Sequence, residues 1–360
     1  MKAAVVYEFG KPLVIEDIVI DPPKKGEVKV RLATTAVCHS DIHFLRGELM
    51  GAGPAVAGHE SSGYIEEVGE GVTSVKPGDP VVMTLIASCG HCLYCSTGLP
   101  HICETEMPLS KESRLHTKQG KKVGNMARVG SFAEYAVVDQ SQVVKIPREM
   151  PMDQAALLGC AVITGFGSVV NRARVKPLGS VVVIGSGGVG LNSIQGAAFS
   201  GAYPIIAVDV LDNKLKAALS FGATHTVNAK QGDPIEAVKK LTSGRGVDYA
   251  FVTVGNCSAI TQGFSMLGRR GMAVIVGLPS PKDRISFSPF DFIGSERMLT
   301  GSNMGSTNIR VDIPQLVTLY QAGKLKLDEL ITGRYPLEKI NEAIESVERG
   351  EALRNVIMFK

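Results

Sequence analysis

Between Val181 and Val276 the chain alternates short apolar runs with stretches whose apolar residues recur at helical spacing. VVVIG (Val181–Gly185), IIAVD (Ile205–Asp209), Thr224–Asn228, Tyr249–Val254 and Met272–Val276 read as strands. Gly190–Ser200, Asn213–Phe221 and Pro234–Thr242 between them read as helices. Strands that alternate with helices imply βαβ units and a parallel sheet. The first part of the chain has a different texture. Glu27–Ala33, Ala133–Val138 and Val143–Ile146 are β-branched runs bounded by Gly, Pro or Asp, with no helical stretches between them. Asp153–Ala173 reads as helical, Leu337–Glu348 as an amphipathic helix and Asn355–Phe359 as a last strand. The expectation is an α/β chain of two domains: a β-rich first domain over 1–155, a doubly wound parallel sheet over 156–304, and a return to the first domain over 305–360.

Composition narrows the function classes. The 360 residues are 44% hydrophobic and 20% charged, with a net charge of +3, so the chain lacks the basic footprint of a nucleic-acid binder. Ser180–Val208 carries no charge, but glycines, Asn192, Gln195 and Pro204 interrupt it, which fits two buried strands around a helix better than a membrane span. The opening MKAAVVYEFG lacks the shape of a signal peptide. The expected location is the cytoplasm, and in a reducing compartment clustered cysteines read as metal ligands rather than disulfides.

Four of the seven cysteines lie in CGHCLYCSTGLPHIC: Cys89, Cys92, Cys95 and Cys103. Four thiolates at this spacing suit tetrahedral zinc, and a full shell leaves no position for a substrate, so the lobe at 88–104 reads as structural. An iron–sulfur cluster is the other metal reading. A second signal is GSGGVG, between the first strand and helix of the alternating region. There Gly185 permits a tight turn, Gly187 lets the backbone approach a pyrophosphate and Gly190 lets the helix pack close, while Gly188 and Val189 open the helix. Asp209 ends the second strand, suited to accept the ribose hydroxyls of NAD and to repel a 2′-phosphate, and Lys214 follows within reach of the ribose.

Cys38 lies in CHSDIH and His59 in GHESSG, and Cys160 stands far downstream. Together they would make a Cys2His site with one vacant position, the arrangement of a catalytic zinc. With these residues in hand, the sequence resembles the zinc-dependent alcohol dehydrogenases of the medium-chain dehydrogenase/reductase superfamily over essentially its whole length. The family's GHE-x2-G-x5-G-x2-V signature is met by Gly58, His59, Glu60, Gly63, Gly69 and Val72. The knuckle, the glycine turn and GCAVITG around Cys160 follow in family order.

The resemblance implies a GroES-like catalytic domain and a Rossmann domain, two zinc ions per chain, and NAD. It implies that Cys38, His59 and Cys160 bind the catalytic zinc with Glu60 nearby, that Ser40 contacts the substrate oxygen, and that His43 ends a proton relay. It places Arg354 at the pyrophosphate, along with His39, where many members carry arginine. Leu85, Met126, Ala127, Leu278 and Asn303 are candidate pocket residues. Cys257 matches no ligand.

The activity expected is reversible hydride transfer between an alcohol and NAD, in a homo-oligomer, with a dimer favoured and the strand near Met298–Gly301 pairing across the two-fold axis. Partners beyond a small-molecule substrate, such as nucleic acid or a membrane, are not expected. Three other readings stand beside it. One is a zinc-free reductase of enones or quinones, which the Cys38/His59/Cys160 triad and Asp209 oppose. Another is a non-enzymatic knuckle protein or dinucleotide sensor. The third concerns substrate: Glu104–Gly130 reads as a long polar loop whose KESRLHTKQGKK carries five basic residues and one acidic. As part of a substrate site it would favour a larger anionic or thiol-linked hydroxy compound, such as a hydroxyacyl-CoA or a thiol adduct of formaldehyde.

Overall fold

The computed structural model describes residues 1–49 and 51–360, which divide into two compact units. One holds Met1–Cys160 and Asn308–Lys360, the other Ala161–Thr307.

In the first unit Lys2–Val6, Val14–Ile20, Leu115–Thr117, Lys122–Asn125 and Ala55–Val56 close into a barrel. Closure leaves no sheet edge to protect. Ala3, Val5, Ile18, Val56, Val123 and Phe132 fill its core. A second sheet runs in the order Val143–Lys145, Pro80–Met83, Ser61–Val68, Glu27–Ala36, Arg354–Met358, Ile331–Pro336, with Tyr135–Asp139 also paired to Glu27–Ala36. The chain's end thus returns to this unit: Arg354–Met358 lies antiparallel to Glu27–Ala36, with Val356 opposite Ala36.

Three sequence expectations need correction here. Glu104–Gly130 is not a polar loop, because Leu115–Thr117 and Lys122–Asn125 are barrel strands paired antiparallel. Leu115 and Val123 face the core, a pattern too short to register among the surrounding charges. The helix at Leu337 begins as a 3-10 turn, Leu337–Lys339, before the α-helix Ile340–Glu348 that buries Ile340, Ala343, Ile344 and Val347. The third concerns Asp153–Ala173, which is not one helix. Met152–Leu157 stops, Leu158–Cys160 turn, Ala161–Gly167 resumes, and Ser168–Ala173 widens into a π-helix. Gly159 sits in the break because a Cβ there would lie 2.5 Å from the Met83 carbonyl oxygen and 3.2 Å from the Ser61 nitrogen.

The second unit is a six-stranded parallel sheet ordered His225–Asn228, Ile205–Asp209, Val181–Ile184, Val247–Val252, Leu267–Ile275, Met298–Gly301. Val181–Ile184 is buried at every position, as a central parallel strand covered on both faces must be. The chain reverses its direction of winding at this strand, and in such sheets that is where a ligand crevice opens. Met298–Gly301 forms one edge. No helix among the described residues is long and apolar enough to cross a membrane.

Candidate metal and nucleotide sites

Cys38, His59 and Cys160 are all buried, and their ligand atoms lie within 4.8 Å of one another. Each is delivered by an interruption in regular structure. Cys38 follows the strand Glu27–Ala36 and caps the helix His39–Leu45. His59 precedes the strand Ser61–Val68, after Gly58 at φ +93°. Only glycine fits there: a Cβ would meet the Phe132 ring and the Ser131 hydroxyl at 2.6 Å. Cys160 ends the helix break just described.

Asp41, which the sequence reading passed over, binds two of the three delivering segments together. Its Oδ2 accepts from the Cys38 N–H at 2.9 Å, and its Oδ1 accepts from the Gly58 N–H at 3.2 Å and from His59 Nδ1 at 2.8 Å. The signal was present in Cys38-x-x-Asp41, the spacing at which a side chain in a helix's first turn reaches back to the cap nitrogen. Because Asp41 accepts a hydrogen bond from Nδ1, His59 Nε2 is left facing Cys160 Sγ at 3.2 Å, free to serve as a metal ligand.

The thiols titrate as a pair. The hydrogen bond from Cys160 draws Cys38 well below the usual thiol range against its burial, while the Cys38 thiolate and burial push Cys160 well above it. Burial, the largest single influence on His59, opposes a charged ring, but the Asp41 carboxylate and Cys38 outweigh it and hold His59 well above the ordinary range. The donor set fits zinc: two sulfurs, one oriented imidazole nitrogen and an outer carboxylate. Three protein donors leave a fourth tetrahedral position open.

Around this triad, Glu60 is fully buried and accepts from Arg354 Nη2 at 2.6 Å, while Arg354 Nη1 donates to the Val37 carbonyl at 2.9 Å. Arg354 is thereby held beside the metal ligands. Ser40 Oγ lies 3.8 Å from Cys38 Sγ. His43 is partly exposed and pairs through Nδ1 with Glu48, whose carboxyl that hydrogen bond pulls below its usual range. His39 is exposed.

Cys89, Cys92, Cys95 and Cys103 form a second group with sulfurs within 4.8 Å, and no cysteine is in a disulfide. Tetrahedral zinc with bonds of about 2.3 Å sets sulfurs about 3.8 Å apart. Cys92–Cys103 at 3.8 Å and Cys89–Cys95 at 4.0 Å match that edge. Backbone N–H groups of Cys92 and His91 point at Cys89 Sγ, at 3.2 and 3.5 Å.

In the second unit, Gly185 (φ +94°) turns the chain out of Val181–Ile184 into the helix Gly188–Phe199. A Cβ on Gly190 would lie 1.8 Å from the Gly185 carbonyl oxygen, so helix and turn touch only through glycine. Nothing lies within 4 Å of where a Gly187 Cβ would stand, and the buried Ser186 Oγ has no hydrogen-bond partner. Open backbone, an unused hydroxyl and a helix N-terminus suit a pyrophosphate. Asp209 Oδ2 accepts from the Ser186 N–H at 2.7 Å, and Oδ1 accepts from Val210 and Leu211 at 2.7 and 3.0 Å. The carboxylate therefore shapes the turn, and its remaining lone pairs are what a ribose would meet. Lys214 is in the first turn of Asp212–Ser220.

The pocket candidates separate. Leu85, Met126 and Ala127 belong to the first unit, Leu278 and Asn303 to the second. Met126 is part of the barrel core, and Leu278 is 50% exposed. The basic segment has neutralising partners of its own: Lys111 with Glu106 at 2.7 Å, Lys118 with Asp17 at 3.0 Å, and Arg114 with Glu27 at 2.6 Å. Arg114, expected on a solvated loop, is 3% exposed and engages Glu27 through both Nε and Nη2. An anionic substrate finds no unpaired charge at these three positions.

Comparison with known proteins agrees with this geometry. Residues 24–148 match the alcohol dehydrogenase GroES-like domain and residues 188–322 the zinc-binding dehydrogenase family. An NDMA-dependent alcohol dehydrogenase of Amycolatopsis methanolica is 40% identical over 99% of this chain and 98% of its own. The chain belongs to the zinc-dependent alcohol dehydrogenases of the medium-chain superfamily. Among solved alcohol dehydrogenases of this type, the zinc-binding domain protein of Burkholderia ambifaria superposes with a TM-score of 0.95 at 33% identity, covering 100% of this chain and 98% of that one. The benzyl alcohol dehydrogenase of Acinetobacter calcoaceticus superposes at 0.92 with 33% identity, covering 100% and 99%.

Proposed function

We propose that this alcohol dehydrogenase oxidises a small alcohol to an aldehyde or ketone, reversibly, with NAD as hydride acceptor and two zinc ions per chain. The observation that carries the reading is the contrast between the two cysteine groups: four thiols close one site, and three donors leave the other open to an oxygen ligand. Cys38, His59 and Cys160 would hold a zinc ion, which would supply Lewis acidity to the alcohol oxygen. Ser40, beside Cys38, would accept the alcohol proton as it gives up its own, and His43, paired with Glu48 and partly exposed, would release a proton to solvent. Glu60 and Arg354 keep a balanced pair of charges against the metal ligands. The Gly185–Gly190 turn holds the pyrophosphate, and Asp209 and Lys214 hold the ribose of a nicotinamide cofactor, which accepts the hydride when bound.

The NDMA-dependent relative makes the terminal acceptor the decisive unknown. Asp209 favours NAD as the bound nucleotide, since its carboxylate repels a 2′-phosphate. The purified protein, incubated with NAD and a panel of aliphatic and benzylic alcohols, should produce absorbance of the reduced nicotinamide. Turnover with NDMA and none with free NAD would replace this reading. Cys160→Ser should lose one of two zincs, and two zincs retained in that variant would sink the ligand assignment.

Two coarser expectations remain part of this reading. The free cysteines accord with a reducing cytoplasm. The edge strand Met298–Gly301, flanked by exposed Phe290 and Ile293, supports a dimer joined along that edge. Light scattering at the monomer mass would remove it.

A further inference from the structure

Bound to zinc, the four thiolates of the knuckle form a dianionic centre, and its own segment offers no permanent cation. From Pro77 to Ser110 there is neither lysine nor arginine, and Glu104 and Glu106 follow the last cysteine. Lys111, the next cation along the chain, is paired with Glu106. An uncompensated dianion in a partly buried lobe is expensive to hold.

One guanidinium from a distant segment reaches the stretch that leads into it. Arg128 ends the short turn Met126–Arg128, is half-buried, and makes no ion pair with a carboxylate among the described residues. Its Nη2 donates to the Leu85 carbonyl at 3.1 Å, four residues before Cys89. Its Nε is buried without a hydrogen-bond partner. Burial is the larger influence and opposes its charge, while the Cys103 side chain, at the other end of the knuckle, favours it. The two ends of the knuckle are themselves joined, since the Cys89 N–H points at Cys103 Sγ at 3.4 Å. Arg128 therefore stands where the chain enters the lobe.

Its backbone is unusual as well. Ala127 and Arg128 are successive non-glycine residues at φ 54° and 63°. Left-handed conformation costs an L-residue roughly 1–2 kcal/mol, and it persists where the surroundings over-determine it. Among the described residues no carboxylate pairs with the buried charge, and the thiolate lobe is the counter-charge that its hydrogen bond at Leu85 faces it toward.

We propose that Arg128 is the fixed counter-charge of the four-cysteine knuckle: a positioning residue that holds the zinc-loaded lobe through its charge toward Cys103 and its hydrogen bond to Leu85. The inference rests on zinc in the knuckle and is independent of which alcohol or acceptor the enzyme uses.

Two variants separate charge from hydrogen bonding. Arg128→Gln keeps a donor for the Leu85 carbonyl and removes the charge, and Arg128→Lys keeps the charge. The readout is the rate at which the holoenzyme gives up its knuckle zinc to a metallochromic chelator, with total zinc measured first and folding checked by thermal melting. Outer partners of metal ligands typically change affinity about 10–100-fold, so Arg128→Gln should release that zinc at least about tenfold faster, with Arg128→Lys close to wild type. Unchanged release from Arg128→Gln overturns the proposal, as does equally fast release from both variants. A selective rise in KM for carboxylate-bearing alcohols with release unchanged also overturns it, and makes Arg128 a substrate residue. If Arg128→Gln gives no folded protein, Arg128→Lys decides: wild-type retention supports the counter-charge role, and loss refutes it.

Discussion

Asp41 and His59 are joined by a 2.8 Å hydrogen bond from Nδ1 to a fully buried carboxylate. The same carboxylate holds the Cys38 backbone, so one side chain sets the position of two of the three donors that could hold a metal ion. Replacing it with alanine should leave the barrel intact and loosen the metal. The expected loss is about 10–100-fold in affinity for the catalytic zinc, with a parallel fall in kcat/KM. Metal analysis after dialysis against a weak chelator should find the knuckle zinc retained. Full retention of both zincs would mean Asp41 is dispensable for ligand placement.

Gly190→Ala tests the nucleotide turn. The added methyl would stand 1.8 Å from the Gly185 carbonyl oxygen, a backbone atom that cannot swing aside. The turn must open or the helix withdraw, which should lower stability by about 1–3 kcal/mol and weaken NAD binding more than tenfold. Thermal melting and nucleotide titration would check both effects. Gly187→Ala, at a position with nothing within 4 Å, should keep wild-type stability and lose only nucleotide affinity.

Metal uptake by the knuckle should release protons. A hydrogen bond from Thr105, helped by the N–H groups of His91 and Cys92, brings Cys89 down to about 5, so this thiol is already ionised at neutral pH. Burial pushes Cys95 up to about 12, so this one is not. Zinc has to displace the Cys95 proton anywhere below that value, and its affinity should rise with pH by at least about tenfold per unit across the neutral range. Below about pH 5 the Cys89 proton joins the competition and the dependence steepens. Stopped-flow with a pH indicator in weak buffer would detect the proton released on adding zinc to metal-free protein. Uptake without proton release would contradict this ordering.

Arg114→Met should act on stability and not on substrate choice. It strands the Glu27 carboxylate, 5% exposed, without its bidentate partner. Removing one member of a buried pair costs about 3–5 kcal/mol. Denaturant midpoints should fall accordingly, and the ratio of KM values for anionic and neutral alcohols should not change. A change in that ratio with stability intact would restore a substrate role to this segment.

What could be read from the sequence divides by the range over which the information is local. The knuckle lies within fifteen residues, and the glycine turn needs only the strand before it and the helix after it. Both were legible from spacing alone. Cys38, His59 and Cys160 are spread over more than a hundred positions, so no spacing joins them; their ligand chemistry suggested one group, and likeness to a family supported it. Asp41 was hidden because a lone Asp in a helix's first turn has an ordinary capping role, and its second contact, with His59, is tertiary. The barrel strands around Leu115 and Val123 have one or two inward residues each, fewer than any period needs. Arg114 shows the limit most clearly: its charge suggests solvent, and only the fold supplies Glu27, 87 residues earlier in the chain.

The seam between the two units is asymmetric. Cys160 is the last residue of one unit before Ala161 opens the other, whereas the chain returns at Thr307–Asn308, where no metal ligand is near in sequence. In a chimera that exchanges the second unit for that of a relative, no candidate metal ligand constrains the second seam. At the first, the splice falls one peptide bond from the candidate metal ligand Cys160, beside the glycine that threads past Met83, so the donor protein must be grafted after residue 160 and never before it.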